Sequence, residues 1–352
     1  MRRSYESSQF RTRFNAFSRL LRAGYHDTLY PSIDGKTKRT THRQDQSSDD
    51  DSYEIHEYTG ALKICPSSGL TFDDNVLLKN STDLYMRERV PNYRLVYDAA
   101  ARHVPSLISL RHGAEPNYWH YLQLVATKAV IADLHGVDPD VPVLLSRRQY
   151  DVPFIKRSLD LGLVGDRPIV LQENDEVIAT DRLYSVRPPL HGRKYRDLVL
   201  QRLGQTGGDR AENDRIFVTR GKAAENNRML QNEAEVIEAL SPFGFRTVDP
   251  QTLSFDEQMT TFSRCGFMIS PHGAGLTNMI FRRGAPLEII EIFNFNLINP
   301  CYEIVAGQYD FGYRALYCNN VVGKPKSGNA IVDVGELVEA VESMLPKTIA
   351  SE

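Results

Sequence analysis

The sequence lacks any apolar run that approaches the roughly 18–20 residues needed to cross a membrane as a helix. It also lacks an excess of charge of one sign, since 42 Lys and Arg residues are balanced by 45 Asp and Glu residues, for a net charge of −3. The first absence excludes a bundle of membrane-spanning helices. The second argues against a protein that coats nucleic acid, so we expect no nucleic-acid partner.

Cysteine is scarce, and no two of the four cysteines form a Cys-x-x-Cys pair. This spacing disfavours a thiolate zinc site and a thioredoxin-type site. We interpret Cys65, Cys265, Cys301 and Cys318 as reduced thiols of a cytoplasmic protein, with one disulfide as the open alternative. No Asp-x-Asp motif stands in a convincing setting, because the acidic run 49–51 follows no strand pattern. We therefore predict no metal site and no required cofactor, and a divalent metal remains an alternative.

The first residues, MRRSYESSQF, show no apolar stretch after the arginines, so we expect no secretory signal. Large apolar residues recur at helical spacing within residues 9–22, with arginines on the other face. Such a segment predicts a short amphipathic helix that lies on an anionic membrane or packs on the rest of the protein. Residues 34–53 are polar and are interpreted as a disordered linker, which makes residues 1–53 an N-terminal extension.

The chain as a whole has the composition of a globular protein, with 41% hydrophobic and 25% charged residues, and its length suits two domains or one large one. Over residues 54–204 the patterns predict helices at 117–136 and 151–163, and strands at 141–146 and 167–172. Gly136 is expected to end the first helix, while Asp151 is expected to cap the second and Pro153 to lie in its first turn. This alternation predicts a parallel α/β sheet. The basic and then Gly-rich segment 190–214 is interpreted as an inter-domain linker.

The alternation is clearer from 215 to 330, which we predict to be a doubly wound α/β domain. The strands are predicted at 215–220, 243–248, 266–270, 287–293 and, as the last one, 314–318. Helices are predicted at 227–240, 254–264 and 299–307, and a final helix at 333–345 within a C-terminal segment 331–352. Capping boxes open two of these helices, at Ser254 with Glu257 and at Asp333 with Glu336.

Two loops of this domain follow strands, at the carboxyl ends where such sheets bind ligands. The first holds Arg220 and Lys222, with Arg228 at the start of the next helix, and arginine grips phosphate oxygens bidentately. The second is the run 272–278, His-Gly-Ala-Gly-Leu-Thr-Asn, whose glycines let backbone approach a ligand and whose following helix directs N–H groups at an anion. Together they predict a diphosphate site. The run departs from Gly-x-Gly-x-x-Gly, which disfavours an NAD enzyme.

Several segments resemble glycosyltransferase family 61, namely TRGK (219–222), NNRMLQNEAEV (226–236), SPHGAGLTNMIF (270–281) and EIIEIF (288–293). NYWHYL (117–122) is similar to the Asn-x-x-His segment of that family, so the resemblance covers the chain from about Asn117 onward. It implies an α/β fold of two Rossmann-like domains with a cleft between them, the GT-B type. It also implies an inverting glycosyltransferase that moves a sugar from a nucleotide-diphosphate sugar, usually a UDP-sugar, to a hydroxyl of a glycan or polysaccharide.

The resemblance further implies a cytoplasmic, bacterial protein of polysaccharide biosynthesis, with peripheral contact at the inner face of the membrane through residues 9–22 as an open alternative. The alternative functions are a catalytically degenerate nucleotide-sugar-binding or glycan-binding protein on the same fold and a nucleotide-sugar-modifying enzyme.

Family motifs that match this sequence imply its site residues. Donor-binding roles fall on Arg220, Lys222, Arg228, Asn232, Glu233, His272, Gly273, Ala274, Gly275, Leu276, Thr277, Asn278 and Glu291. Asn232 and Glu233 match an Asn-Glu pair that either binds the donor or orients the arginine loop, and Glu288 competes with Glu291 for ribose hydroxyls.

The catalytic base is predicted to be His120, whose unperturbed pKa of about 6.5 suits proton transfer. Many family members carry an acid one turn after this histidine, whereas this sequence has Gln123 and Leu124. That departure keeps Glu115 as a second candidate base and keeps a loss of activity open.

Overall fold

The computed structural model of the chain describes residues 37–43, 53–73, 76–78, 81, 96, 99–189, 192–220, 229–294, 299–318, 320–322 and 329–345. The chain divides into two compact units, Met1–Gly204 and Gln205–Glu352, called here the N-terminal and the C-terminal unit. Both units combine sheets with helices, as the α/β prediction required. No helix in the described part of the chain is long and apolar enough to cross a membrane. The segment 9–22 lies outside the described residues, as does the acidic run 49–51.

The described part of the N-terminal unit contains one mixed sheet. Its strands are β1 Thr37–Arg43, β2 Tyr53–Ile64, β3 Thr71–Asp73, β4 Val76–Leu77, β5 Ala101–His103, β6 Ser106–Ser109, β7 Val143–Ser146, β8 Ile169–Gln172 and β9 Val177–Arg187. The order is β4-β3-β2-β9-β6-β7-β8, with β1 paired to β2 and β5 paired to β9. Strands β9, β6, β7 and β8 run parallel, whereas β1 to β4 form antiparallel pairs and β2 pairs antiparallel to β9.

Two predictions for this unit were wrong. The sheet is mixed rather than parallel throughout, because the long strand β2 and its antiparallel neighbours extend it beyond β9. Strand β1 lies inside the segment 34–53 that composition indicated as a disordered linker. Its sequence TKRTTHR contains three threonines, which suit extended backbone, and the edge of β2 supplies its backbone hydrogen bonds. The composition of a segment cannot reveal that a neighbouring strand will pair with it.

In the described part of the N-terminal unit, the helices follow the parallel strands. They are α1, which consists of Tyr118–His120, the π-helical turn Tyr121–Val125 and Ala126–Leu134, then α2 Arg147–Tyr150, α3 Pro153–Asp160 and α4 Arg193–Arg202. Asn117 caps α1, since its side chain accepts a hydrogen bond from His120 N at 3.2 Å. Gly136 follows the end of α1 with φ +80°, as expected for a residue that ends a helix.

Two local predictions here need correction, whereas the predicted place of Pro153 in the first turn of its helix is confirmed. Asp151 does not cap α3, because Ser146 starts a separate short helix α2 whose C-cap is Asp151. Pro153 is the first residue of α3, and its N-cap is Val152. Helix α4 occupies much of the segment 190–214, so only the part after Gly204 links the two units.

The C-terminal unit is built on a five-stranded parallel sheet of β10 Asp214–Val218, β11 Phe245–Val248, β12 Cys265–Pro271, β13 Glu288–Asn294 and β14 Gly312–Cys318. Its order is β11-β10-β12-β13-β14, one of the common doubly wound arrangements. The helices are α5 Glu233–Leu240, α6 Phe255–Ser263, α7 Cys301–Gln308 and α8 Val334–Met344. Where the connections of this unit are described, they include the 3₁₀ segments Ser241–Phe243, Pro250–Thr252 and Ala274–Arg282.

Alternation along the strands of this sheet assigns its two faces. Ile269, Ile290 and Ile292 belong to an apolar core that also contains residues of α5 and α8. Because successive residues of a strand point to opposite faces, Glu291 and Phe293 of β13 point away from that core. The face opposite to α5 and α8 therefore carries a buried carboxylate close to the carboxyl end of the sheet.

The remaining predictions for the C-terminal unit were confirmed in part. Ser254 and Glu257 form the expected capping box, and Asp333 accepts from Glu336 N at 3.0 Å. Helix α5 begins at Glu233 rather than at Asn227, because residues 229–232 are not helical and Leu230 forms a bridge with Ala330. The antiparallel pair β15 Asn320–Val322 and β16 Asn329–Ile331 follows β14, so 314–318 is not the last strand. All four cysteines are free and buried, in agreement with the thiol prediction.

Candidate functional site

The carboxyl ends of β10 and β12 form a topological switch point in the C-terminal unit. Strand β10 connects onward to β11 on one side, while β12 lies on its other side, and ligands bind at such points in open α/β sheets. Arg220 follows β10, and His272 follows β12. Arg220 Nη1 donates to His272 O at 2.9 Å. The structure therefore brings together the two loops that the sequence identified separately.

Both glycines of the second loop allow it to pack against the end of β10. A Cβ atom at Gly273 would lie 2.8 Å from Arg220 Nη1. A Cβ atom at Gly275 would lie 3.0 Å from Val218 Cγ1. A side chain at either position would press against the first loop, so the Gly-x-Gly spacing lets the arginine and the backbone approach one another.

The segment that follows Gly273 is a 3₁₀ helix that begins at Ala274 and includes Gly275, whereas the sequence predicted a helix that begins near Leu276. Leu276, Thr277 and Asn278 are buried, and Asn278 Nδ2 donates to Gly275 O at 3.1 Å. The Thr277 side chain is 0% exposed. These side chains hold the loop in place and do not offer the outward contacts that the sequence predicted for Thr277 and Asn278. The partly exposed residues of the run are His272, Gly273, Ala274 and Gly275.

Glu233 and Asn232 contact the structure around the arginine loop. Glu233 Oε2 accepts from Thr219 Oγ1 at 2.7 Å, one residue before Arg220. Asn232 Nδ2 donates to Val332 O at 2.9 Å, and Asn232 Oδ1 accepts from Val332 N at 3.1 Å. Of the two roles predicted for this pair, the contact of Glu233 corresponds to orienting the loop, whereas Asn232 is bonded to Val332 outside that loop. Lys222 and Arg228 lie outside the described residues.

Glu291, expected to bind ribose, instead forms a buried acid–histidine pair with His272. Its side chain is 0% exposed, and Glu291 Oε1 lies 2.5 Å from His272 Nδ1. Tyr313 OH donates to the other carboxylate oxygen at 2.6 Å. Burial raises the pKa of Glu291, although its two hydrogen-bond partners oppose that effect. Both oxygens of Glu291 are therefore engaged within the protein. Glu288, the competing candidate, begins β13 and lies at the opposite edge of the sheet.

The imidazole of His272 is held between aromatic rings. Phe293 stacks on it with ring centroids 5.1 Å apart, and Tyr302 meets it edge-on at 5.5 Å. With Nδ1 fixed by Glu291, only the Nε2 edge of this partly exposed ring remains to meet a ligand.

A second polar cluster lies at the carboxyl ends of β6, β7 and β8 in the N-terminal unit. Arg111 forms an ion pair with Glu115 and also donates to Gln172 Oε1. Ser146 Oγ donates to Glu115 Oε2 at 2.5 Å, and His112 N donates to Oε1 at 3.2 Å. Since both oxygens of this buried carboxylate are engaged, Glu115 has the contacts of a structural residue. The sequence analysis had instead named Glu115 as a second candidate for the catalytic base.

His120 lies in the first turn of α1 beside a second histidine. The rings of His112 and His120 have centroids 5.1 Å apart, and His112 Nδ1 accepts from Ala114 N at 3.0 Å. His112 is buried, whereas His120 is partly exposed. Gln123 follows in the π-helical turn, where its side-chain oxygen accepts from the buried Arg196 at 2.6 Å.

Sequence reasoning missed Arg111 and His112. The missed signal was SLISLRHG (106–113), an apolar strand followed by basic residues and a glycine, which is the same pattern that identified the loops of the C-terminal unit. In the described part of the chain, no group of three or more His, Cys, Asp or Glu side chains is arranged to hold a metal ion.

The sequence matches a known protein family. Residues 104–286, just over half of the 352-residue chain, match the family model described as Glycosyltransferase 61. The match begins just before β6 and ends just before β13, so it includes His120, Arg220 and His272. No curated protein matches the sequence significantly.

Proposed function

We propose, since the chain belongs to glycosyltransferase family 61, that it transfers a sugar from a nucleotide-diphosphate donor, specifically a uridine diphosphate sugar, to a hydroxyl of a glycan or polysaccharide. Family membership makes it a glycosyltransferase with a sugar donor and a glycan acceptor. The uridine nucleotide, the polysaccharide acceptor and inversion at the anomeric carbon are our proposal. The observation that carries it is the contact between Arg220 and the His-Gly-Ala-Gly loop at the switch point.

The donor diphosphate is assigned to the carboxyl edge of the C-terminal sheet. A guanidinium group offers planar donors that match phosphate oxygens, and Arg220 is held in place through Gln251, which donates to Arg220 O at 3.2 Å. The glycines at 273 and 275 let Arg220 and Val218 pack directly against the backbone of the second loop, which brings the guanidinium group and that loop to the same edge. In the proposed step the bond between the anomeric carbon and the β-phosphate oxygen breaks, and its electron pair stays on that oxygen. Arg220 stabilises the resulting negative charge.

The base that removes the acceptor hydroxyl proton is proposed to be His120. Its partly exposed imidazole and its position beside His112 support this choice, and Glu115 is less suited because its carboxylate is engaged with Arg111 and Ser146. In an inverting transfer the hydroxyl oxygen attacks the anomeric carbon from the face opposite to the departing diphosphate. The proton of the hydroxyl passes to His120 as the new glycosidic bond forms.

A second candidate function is binding of the nucleotide sugar without transfer. Gln123 favours it, because this position carries an amide bonded to Arg196 instead of an acid beside His120. Release of uridine diphosphate from UDP-sugars on incubation with the protein, lost in His120→Ala while UDP binding is retained, would support transfer. Binding of UDP with no release from any UDP-sugar and acceptor mixture would support the binding function.

The test of the donor assignment is a calorimetric binding screen against uridine, guanosine and cytidine diphosphates and NAD. We expect uridine diphosphate to bind and Arg220→Ala to weaken it by about 10-fold to 100-fold, as for the loss of a charge-assisted hydrogen-bonded pair. The matched control is Arg246→Ala, which removes an exposed arginine near the amino end of β11 that is paired with Asp214. This control should bind uridine diphosphate as tightly as the unmodified protein.

Two outcomes of the screen would contradict the proposal. Binding of NAD alone would indicate a redox or epimerase enzyme, and equal weakening by Arg220→Ala and Arg246→Ala would place the diphosphate elsewhere. Each titration is repeated with EDTA, because we propose that the arginine and backbone groups suffice to bind the diphosphate. A loss of affinity in EDTA, restored by Mg²⁺ or Mn²⁺, would overturn that metal-independent form of the proposal.

A further inference from the structure

The acid–histidine pair that the sequence lacks beside His120 exists at His272. Glu291 Oε1 and His272 Nδ1 are 2.5 Å apart, and Tyr313 OH donates to Glu291 Oε2 at 2.6 Å. Nothing in the transfer proposed above uses these three groups together. Their position is informative, because His272 O is the atom to which Arg220 is bonded. The pair thus lies at the phosphate-binding edge.

Register explains why the three side chains meet. Glu291 of β13 is paired with Ala315 of β14, and Tyr313 stands two residues before Ala315 on the same face. His272 directly follows β12, whose Pro271 is paired with Ile292. The carboxylate therefore lies between the tyrosine and the histidine, and His272 N is itself fixed by a 2.8 Å bond to Ile292 O.

The number of protons on the pair decides what it presents to a ligand. When the pair holds two protons, one lies between Nδ1 and Oε1, and the other is on Nε2, which then acts as a donor. The pair is then neutral overall, whichever of the two atoms carries the shared proton. When the pair holds one proton, that proton stays between Nδ1 and Oε1, and Nε2 presents a lone pair. Only the doubly protonated form can donate a hydrogen bond to a phosphate oxygen.

We propose that His272, positioned by Glu291 and Tyr313, is a catalytic residue that donates a hydrogen bond from Nε2 to the departing β-phosphate of the donor. This inference rests on the proposed function, because it places the diphosphate at the same edge. As the bond from the anomeric carbon to the β-phosphate oxygen breaks, the electron pair moves to that oxygen and the Nε2 proton stabilises or neutralises it. A proton given up with the diphosphate is replaced on Nε2 from water after the product leaves.

The buried tyrosines and the cysteine beside the pair keep their own protons, so the two forms of the pair differ in the proton on Nε2. Tyr313 on β14 and Tyr302 on α7 remain protonated, because burial raises the pKa of each far above neutrality. Cys301 of α7 also has a raised pKa because of burial. The charged groups that act on the pair are Arg220 after β10 and Glu303 of α7, whose own pKa is raised by burial.

The pH dependence of uridine diphosphate binding tests the inference. Calorimetric titrations with uridine diphosphate and uridine monophosphate are run from pH 5.5 to 8.5 on the unmodified protein, His272→Gln, Glu291→Gln and Tyr313→Phe. Titration of the nucleotide phosphate itself is the same for every variant, so it cancels in each ratio to the unmodified protein. We expect His272→Gln to weaken uridine diphosphate about 10-fold at pH 6 and less than about 3-fold at pH 8.5. Uridine monophosphate, which lacks the β-phosphate, should be unaffected.

The two positioning residues should move the pH midpoint in opposite directions. Glu291→Gln removes the anion that favours the doubly protonated pair, so the midpoint should fall by about one pH unit or more. Tyr313→Phe removes a donor that stabilises the carboxylate, so the pair should hold its second proton to higher pH. A merely structural role would lower affinity in both variants without moving the midpoint. Nitrogen-15 spectra of the His272 ring, assigned with His272→Gln, should show Nε2 protonated in the uridine diphosphate complex at pH 6.

The outcomes separate this inference from the proposed function. Identical pH profiles for the unmodified protein and His272→Gln, with Arg220→Ala still impaired, would overturn the role of His272 and leave the donor assignment intact. Absence of uridine diphosphate binding to the unmodified protein would overturn both. Circular dichroism checks that each variant folds. If His272→Gln fails to fold, the opposite shifts expected for Glu291→Gln and Tyr313→Phe still decide the question.

Discussion

Replacing Glu115 with alanine is expected to destabilise the N-terminal unit by about 3–5 kcal/mol, the usual cost of breaking a buried ion pair. The change leaves the Arg111 guanidinium, which is 4% exposed, without its carboxylate. It also removes the acceptor of Ser146 Oγ and His112 N. A catalytic base that faced a ligand would show the opposite behaviour, because its removal would cost activity and little stability.

The chain provides a local reporter for this measurement. Trp119 is its only tryptophan and belongs to the N-terminal unit, so urea unfolding followed by tryptophan fluorescence monitors that unit. The midpoint should fall strongly in Glu115→Ala and less in Glu115→Gln, which can still accept hydrogen bonds from its neighbours. The matched control is Glu173→Ala, which breaks an exposed pair with Arg147 and should change stability by less than about 1 kcal/mol. If Glu115→Ala kept its stability but lost glycosyl transfer, Glu115 would again be a candidate for the catalytic base.

Replacing Arg282 with methionine is expected to cost the C-terminal unit at least about 3 kcal/mol, because four partly buried hydrogen bonds to carbonyl groups lose their charged donor at once. Arg282 is 2% exposed and ends the 3₁₀ segment that begins at Ala274. Its guanidinium donates to the carbonyl oxygens of Asp209, Ser263, Glu212 and Pro286 at 2.5–2.9 Å. The side chain thus joins three pieces of chain, at residues 209–212, 263 and 286.

Hydrogen exchange read by mass spectrometry can localise that loss. Protection should fall in the segments around residues 209–212, 263 and 286 in Arg282→Met, while the N-terminal unit keeps its protection. Arg282→Lys should be nearly as destabilised, since an ammonium group cannot reach carbonyls on several sides. The control is Arg210→Met, an exposed arginine with a 2.9 Å bond to Gly284 O, which should be close to neutral. Equal stability of Arg282→Met and Arg210→Met would refute the structural role of Arg282.

The sequence by itself determined the alternation of strands and helices in the C-terminal unit and the two loops that lie at the carboxyl edge of its sheet. Apolar runs and capping residues located β10, β12 and β13 to within a few residues. Since parallel strands present their carboxyl ends at one edge, strand assignment was enough to predict that Arg220 lies near the run at 272–275. The family resemblance came from the same contiguous segments. Each of these features depends on residues that are close together in the sequence, so local sequence patterns are enough to predict it.

Only the tertiary structure decided how buried polar groups are paired. The contact of Glu291 with His272 and Tyr313 depends on register between three strands, because a shift by one residue would turn Glu291 to the other face. The ion pair that engages Glu115 depends on Arg111 and Ser146 arriving from the ends of neighbouring strands. A carboxylate in a sequence can be a base, a ligand contact or a structural partner. Which of these it becomes is set by the donors that surround it once water is excluded, and those donors come from distant parts of the chain.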